Sequence, residues 1–194
     1  MRLDGGHPAL ELVNTIYATV GGPVDFDVLT TPEDLVTFAR RVGAAGDAAV
    51  PSEGAMRAAR ALREALDPLL RAQLASGCVR LVATSWGEAD VAAASRAFEG
   101  AVRAAQDAAR LAPGYVWAWD DADPLSPVHR LAHSAARLLT GDDLALLRCC
   151  DACCWLFLDR AGKGRKWCSM ADCGTEAKKR RYVARRRERR RPPG

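Results

Sequence analysis

The sequence predicts a mainly α chain. Residues 1–147 form an α+β amino-terminal domain, mostly helical with one small β-hairpin, and residues 148–194 form a small cysteine-built module. Three observations carry this. Apolar residues through the first 147 positions recur at spacings of three and four, the period of a helix with one buried face. Six of the seven cysteines (Cys149, Cys150, Cys153, Cys154, Cys168 and Cys173) fall within 25 residues, and only Cys78 lies elsewhere. Charge divides at the same place. Residues 148–194 hold 15 basic and 5 acidic side chains, net +10, leaving 13 basic and 19 acidic in the rest, net −6.

With 194 residues, 49% hydrophobic and 27% charged, the chain is long enough to bury a core and too apolar to be disordered. No apolar run approaches the roughly 18 residues of a membrane span. The first residues meet Asp4 and lack an apolar stretch, so they do not read as a secretory signal. The expectation is a cytoplasmic protein with no membrane partner.

The elements follow in order. Thr31-Pro32-Glu33-Asp34 places a capping hydroxyl, a proline at the first helical position and two acids in the first turn, and Leu35, Phe38, Ala39 and Val42 follow at helical spacing. A helix over Pro32 to Val42 is predicted. A second helical region spans Ser52 to Gly77, with Met56, Ala59, Leu62, Leu66, Leu69, Leu70 and Leu74 as its stripe; Pro68 should kink or divide it and Gly77 should stop it. A third helix runs from Asp90 to about Ala105, burying Val91, Ala94, Phe98 and Val102. Pro113-Gly114 between Ala108–Ala112 and Tyr115–Trp119 predicts the hairpin. Ser126-Pro127 opens a fourth helix that ends at Gly141, and Asp142 or Asp143 caps a short fifth that leads into the cysteines.

Signals for catalysis are scarce. There is no Gly-x-x-x-x-Gly-Lys loop, no Gly-x-Ser-x-Gly elbow and no His-Glu-x-x-His. His129 and His133, four apart on one helix, could share a metal but lack a neighbouring carboxylate; one exposed and one partly buried histidine is the plainer expectation. Asp4 and His7 flank Gly5-Gly6, read as a polar turn before the first helix rather than a small-molecule loop. The chain is not expected to be an enzyme.

The module carries a stronger signal. Cys150, Cys153, Cys168 and Cys173 give Cys-x2-Cys, fourteen residues, then Cys-x4-Cys. Two close pairs around a hairpin-sized insert are the layout of a closed four-thiolate zinc site, which is structural because the tetrahedron has no open position. Cys149 competes with Cys150 for the first position, and Cys154 with Cys153 for the second. Cys150 with Cys153 is favoured because it gives the tight knuckle spacing. Trp155, Phe157 and Trp167 are β-formers on either side of Gly162 and Gly164, so two short strands are expected there, with Cys173 in or next to the first turn of a final helix. Knuckle, hairpin and helix in that order make a treble-clef-like zinc finger holding one structural Zn2+.

Beyond it lies a basic helix. From Glu176 to Arg191 ten of sixteen residues are basic, and Pro192-Pro193 stop it. Thr175 is the expected N-cap, and Ala177, Tyr182, Val183 and Ala184 are expected to hold the near end to the finger. Packed cations repel one another along a helix, and a polyanion relieves that repulsion. Lys178, Lys179, Arg180, Arg181, Arg185, Arg186 and Arg187 are the candidate nucleic-acid contacts, arginine suiting phosphate through its planar fork.

Cys153-Cys-Trp-Leu-Phe-Leu-Asp159, Trp167-Cys-Ser-Met-Ala-Asp-Cys-Gly174 and Ala177-Lys-Lys-Arg-Arg181 resemble the CGNR zinc finger. Gly5-Gly-His-Pro-Ala-Leu-Glu-Leu-Val-Asn-Thr15 and Thr31-Pro-Glu-Asp-Leu35 resemble the ABATE domain that precedes that finger in bacterial proteins, with Pro127–Leu139 as weaker support. The resemblance spans essentially the whole chain and implies a stress-linked transcription regulator. Two departures stand out. Cys173-Gly174-Thr175-Glu176 replaces the family's Cys-Gly-Asn-Arg, reversing the charge at the last position, and Cys154 replaces a glycine, which supports Cys153 as the ligand. The functional expectation is a regulator that binds nucleic acid, duplex DNA first, through the finger and basic helix, while the amino-terminal domain senses a small molecule or pairs two chains into a homodimer. An RNA- or ribosome-associated protein is one alternative. A sensor or enzyme in the amino-terminal domain, with the tail for targeting, is the other.

Overall fold

The computed structural model describes residues 2–18, 24–74, 91–153 and 155–189. The first helix, α1 (Pro8–Val13), starts where the His7 imidazole accepts the Ala9 amide, and it buries Leu10 and Leu12 completely. It leads into an antiparallel hairpin, β1 (Ile16–Ala18) and β2 (Val24–Asp27), which has no counterpart in the sequence expectations. Arg63 explains its place. This buried guanidinium makes two 2.7 Å bonds to the Asp27 carboxylate and one of 2.7 Å to the Thr15 hydroxyl. A two-pronged charge-assisted pair of this kind fixes orientation as well as distance.

Helix α2 (Pro32–Arg41) opens on a reciprocal cap. The Thr31 hydroxyl accepts from the Asp34 amide while the Asp34 carboxylate accepts from the Thr31 amide. Helix α3 (Glu53–Ala72), capped by Ser52, runs undivided through Pro68, which corrects the expected break there. One forgone backbone hydrogen bond is outweighed by the stripe Met56, Ala59, Leu62, Leu66 and Leu70, all buried. The expected stop at Gly77 and start at Asp90 lie outside the described residues.

Helix α4 (Val91–Asp107) buries Phe98 and Ala105, but Val91 is exposed, against expectation. The hairpin β3 (Arg110–Ala112) and β4 (Val116–Ala118) forms about Pro113-Gly114 as the turn chemistry predicts. Its outgoing end is fastened by Trp119, whose indole N–H donates to the Ala105 carbonyl at 2.7 Å. Helix α5 (Ser126–Thr140) starts one residue early. Leu125 takes the cap position with no side-chain bond, so the buried Ser126 hydroxyl does not cap it. The following turn, 3-10 in form (Asp142–Leu146), begins after Gly141, and neither Asp142 nor Asp143 caps it.

Helices α3, α4 and α5 pack in succession, with α1 laid across α5. Their core also takes in Leu147, Leu156 and Leu158. These belong to a third hairpin, β5 (Leu147–Cys149) with β6 (Leu156–Leu158). The expected partner of the Trp155–Phe157 strand was the stretch around Trp167. The structure pairs it instead with residues preceding the cysteines, and Trp155 and Trp167 lie outside strands. The reason is burial. Leu147 and Leu158 face each other across the ladder and both reach the helical core, whereas Arg160–Lys166 offers charge and glycine. A single turn of π-helix (Met170–Gly174) then leads into α6 (Thr175–Arg189). Among the described residues no helix is long and apolar enough to cross a membrane.

Strand β6 is held from the amino-terminal side. The Asn14 amide donates to the Leu156 carbonyl at 2.8 Å and accepts from its N–H at 2.9 Å, mimicking a neighbouring strand. Leu158 N–H donates to the Gly5 carbonyl, and the Trp155 indole donates to the Ile16 carbonyl, each at 3.0 Å. The Gly5 loop is shaped by Glu11. One carboxylate oxygen accepts from the Gly5 and Gly6 amides, while the other is buried without a partner. Burial pushes the Glu11 carboxyl up to about 7. With His7 spent on the cap and the Gly5-Gly6 amides spent on Glu11, the loop is the polar turn expected.

Two predictions follow from these contacts. Asn14→Ala leaves a buried N–H and a buried C=O on Leu156 unpaired, so unfolding by denaturant should show a loss of about 2–4 kcal/mol. A loss below about 0.5 kcal/mol, the range of ordinary surface changes, would show that the clamp is dispensable. Because the Glu11 carboxyl sits above its unfolded value of 4.5, the folded chain binds a proton the unfolded chain releases. Its contribution is whole below pH 4.5 and is lost as pH rises through about 7. The span corresponds to on the order of 3 kcal/mol. Glu11→Gln should flatten the stability curve across that window, and identical curves for the two proteins would refute the assignment.

Candidate metal centre and basic helix

The turn of the β5–β6 hairpin carries the first two thiols. Cys150 N–H donates to the Trp155 carbonyl at 2.9 Å, closing a tight knuckle with Cys150 and Cys153 directed inward, both buried. Cys168 comes from the end of the loop after β6, and Cys173 from the π-helical turn. Ser169 caps that turn, its hydroxyl accepting from the Asp172 amide while its carbonyl accepts from Gly174 N–H. Thr175, the expected cap of the last helix, instead donates its hydroxyl to the Met170 carbonyl.

The four sulfurs lie within 4.8 Å of one another. Cys153, Cys168 and Cys173 form a triangle with sides of 3.5–3.6 Å. A tetrahedron with metal–sulfur bonds of about 2.3 Å has edges of about 3.8 Å, so the donor set fits a four-thiolate metal site. Among the described residues it is the one group of three or more His, Cys, Asp or Glu side chains placed to hold a metal ion. His129 and His133 take no part. His133 is partly buried as expected, packed on the Trp119 ring, while His129, near Asp123, is buried where an exposed histidine was expected.

Electrostatics point the same way. Thiol donation from Cys153 and Cys168 holds the Cys150 thiol far below its ordinary value. Donation to Cys150 keeps Cys153 and Cys168 protonated, and burial pushes the Cys173 thiol up. Four sulfurs this close cannot all ionise without a counter-charge, which a divalent cation would supply. Cys149, the competing first ligand, lies on β5 outside the cluster and is disulfide-bonded. Cys154 lies outside the described residues.

Phe157 packs against Cys150, Cys153 and Cys168, with Trp155 and Trp167 at the edge. On the open side, Arg2 reaches across to the Ser169 hydroxyl and to the Asp172 and Asp4 carboxylates. A cavity of about 350 Å³ lies there, bounded by Arg2, Phe26, Val28, Trp155, Cys168 and Asp172. Nothing in the residue spacing marks Arg2 or Phe26 as neighbours of the cysteines; the contact depends on how the first hairpin folds.

Helix α6 leaves the site with little packing. Lys178, Lys179, Arg180, Arg181, Arg185 and Arg186 are all exposed; the Arg187 side chain is outside the described residues. Tyr182 and Val183, expected to hold the helix down, are 65% and 46% exposed, and Ala184 is exposed too. Ala177 alone of the four expected residues is half-buried, and the Arg181 guanidinium lies 6.0 Å from the centre of the Trp167 ring. Glu176, the charge-reversed position, pairs one turn on with Arg180 at 3.8 Å.

Residues 6–142 match the ABATE family model, described as a putative stress-induced transcription regulator, and residues 146–186 match the CGNR zinc finger model. The first match covers well over half the chain, and the protein belongs to the ABATE family, with a CGNR zinc finger at its carboxyl end. No curated protein and no solved structure matches it.

Proposed function

We propose that this ABATE-family regulator binds duplex DNA through α6, anchored by one structural Zn2+ on Cys150, Cys153, Cys168 and Cys173. The observation that carries this is the pairing of a closed four-thiolate site with an exposed helix in which eight of fifteen residues are basic, beginning one residue after Gly174 within the same short module. Four thiolates complete the coordination of zinc, so the ion supplies folding energy, on the order of 10 kcal/mol in small zinc modules, and no catalytic position. The cavity beside Arg2 favours a small-molecule input as a second role, because a ligand there would meet the turn that launches α6.

Elemental analysis should find one zinc per chain, and Cys168→Ser should abolish it. Chelation should melt the π-helical turn and α6 while most far-UV helical signal survives, because α1 to α5 are packed around a core that does not include the sulfurs. Full zinc content in Cys168→Ser, or complete loss of helical signal on chelation, would overturn the anchor.

Salt titration tests the helix. With about five phosphate contacts from α6 alone, the helix should contribute about −4.5 to the slope of log K against log salt on duplex DNA. Replacing Arg185, Arg186 and Arg187 with alanine should make it shallower by about 2.7 and weaken different sequences equally, since phosphate contacts carry no base identity. Glu176→Arg should tighten binding by freeing Arg180. Absence of duplex binding at low salt would remove the DNA assignment, and preference for structured RNA at equal salt would move the protein to the RNA-binding alternative.

A further inference from the structure

The stretch Arg160–Lys166 joins the knuckle to the second cysteine pair, and its construction exceeds what a connection needs. Asp159, buried to 97%, organises it with three groups. Its N–H donates to the Leu146 carbonyl, its carbonyl accepts from Gly162 N–H, and its carboxylate accepts from Arg165 N–H at 3.1 Å. Arg165 folds back over the Phe157 ring at 4.4 Å and donates to the Leu158 carbonyl. The Lys166 carbonyl accepts from Asp151 N–H at 2.9 Å, tying the returning loop to the knuckle. Gly162 and Gly164, at φ +61° and +65°, flank Lys163 in the left-handed region that side chains disfavour. A pinned loop with two such residues holds Lys163 at an exposed tip.

The charges on this loop divide in two. Arg160 pairs with Asp143, and Arg165 is consumed by Phe157 and Leu158. Lys163 and Lys166 are exposed, and no ion pair among the described residues involves either. The residue after Lys166 is Trp167, which carries Arg181 on its ring and lies against the start of α6 at Gly174. The loop therefore ends at the base of the basic helix, on the same rigid sulfur-centred unit.

We propose that Lys163 and Lys166 form a second phosphate-binding arm, gripping the backbone of the duplex that α6 contacts. The inference rests on the DNA-binding role proposed above and extends it to a two-part grip. One part is an extended helix of arginines. The other is a preformed lysine loop, which contacts phosphate with little further ordering cost.

The test is a salt titration on a random-sequence DNA duplex, using zinc-loaded full-length protein. Lys163→Ala with Lys166→Ala should make the slope shallower by about 1.8, two contacts at about 0.9 each, with zinc content and thermal unfolding unchanged. The charge-preserving pair Lys163→Arg with Lys166→Arg should restore the wild-type slope. Combined with the α6 triple-alanine variant, the slope changes should add, as expected for separate contacts. A wild-type slope in the double-alanine variant, while the α6 variant still flattens, would overturn the loop and leave the helix assignment intact. No duplex binding by the wild type would overturn both. A larger slope change on structured RNA than on duplex would overturn duplex DNA as the loop's partner.

Discussion

Strand β6 has three residues, and each is buried, because the strand lies between two cores. Leu156 and Leu158 point one way, into the helices, and Phe157 points the other way, onto the sulfur cluster. The two-residue period of a strand makes this alternation automatic once the strand is enclosed on both faces. Enclosure raises a backbone problem: buried N–H and C=O groups need partners, and β5 supplies only one edge. Asn14 supplies the other through its side-chain amide. The cysteine module and the helical body are joined by shared core and backbone hydrogen bonds rather than by a linker.

That junction fixes the metal centre. The knuckle thiols ride on the β5–β6 turn, so their position is inherited from the core beneath. The second pair comes from a loop and a π-helical turn with few apolar contacts of their own. Arg2 holds that turn from outside by reaching Ser169 and Asp172. Cys150, Cys153, Cys168 and Cys173 bring the two halves together at their sulfurs and would hold the ion. A divalent cation bound there would offset the mutual repulsion of four neighbouring thiolates.

Local features were legible in the sequence and long-range ones were not. Thr31-Pro32 and the apolar stripe of α3 announced their helices because caps and periodicity are written within a turn or two. Pro113-Gly114 announced its hairpin for the same reason. The four thiols that cluster were legible from spacing, since a knuckle and a thiol pair near a helix start permit few arrangements. The pairing of β5 with β6 was missed, because Leu147 becomes a strand residue only when a core exists to receive it. The hairpin β1–β2 was missed likewise, since it is pinned by Arg63 from α3, 36 positions beyond Asp27. Asn14 and Glu11 carried no signal of their own in the sequence. Their roles depend on what lies above them, at Leu156 and at Gly5. Tyr182 and Val183 misled in the opposite direction, because apolar type suggested burial where no surface is present to cover them.

Helix α6 inverts the usual economy of a surface helix. Most helices in the body owe their stability to one apolar face; this one has Arg181 stacked on Trp167 and a turn fixed by sulfur, and little else. Successive cations at spacings of three and four oppose its formation. What it gains from the finger is a direction: the π-helical turn sets the axis, and the knuckle sets that turn against β6. Negative charge along its length, as in the proposed complex, would relieve that repulsion. On the proposed function, a metal at the base and a polyanion along its length would each favour this helix. The amino-terminal residues that hold the base, Arg2 at Asp172 and Gly5 at Leu158, are therefore positioned to influence how the helix is presented without touching what it binds.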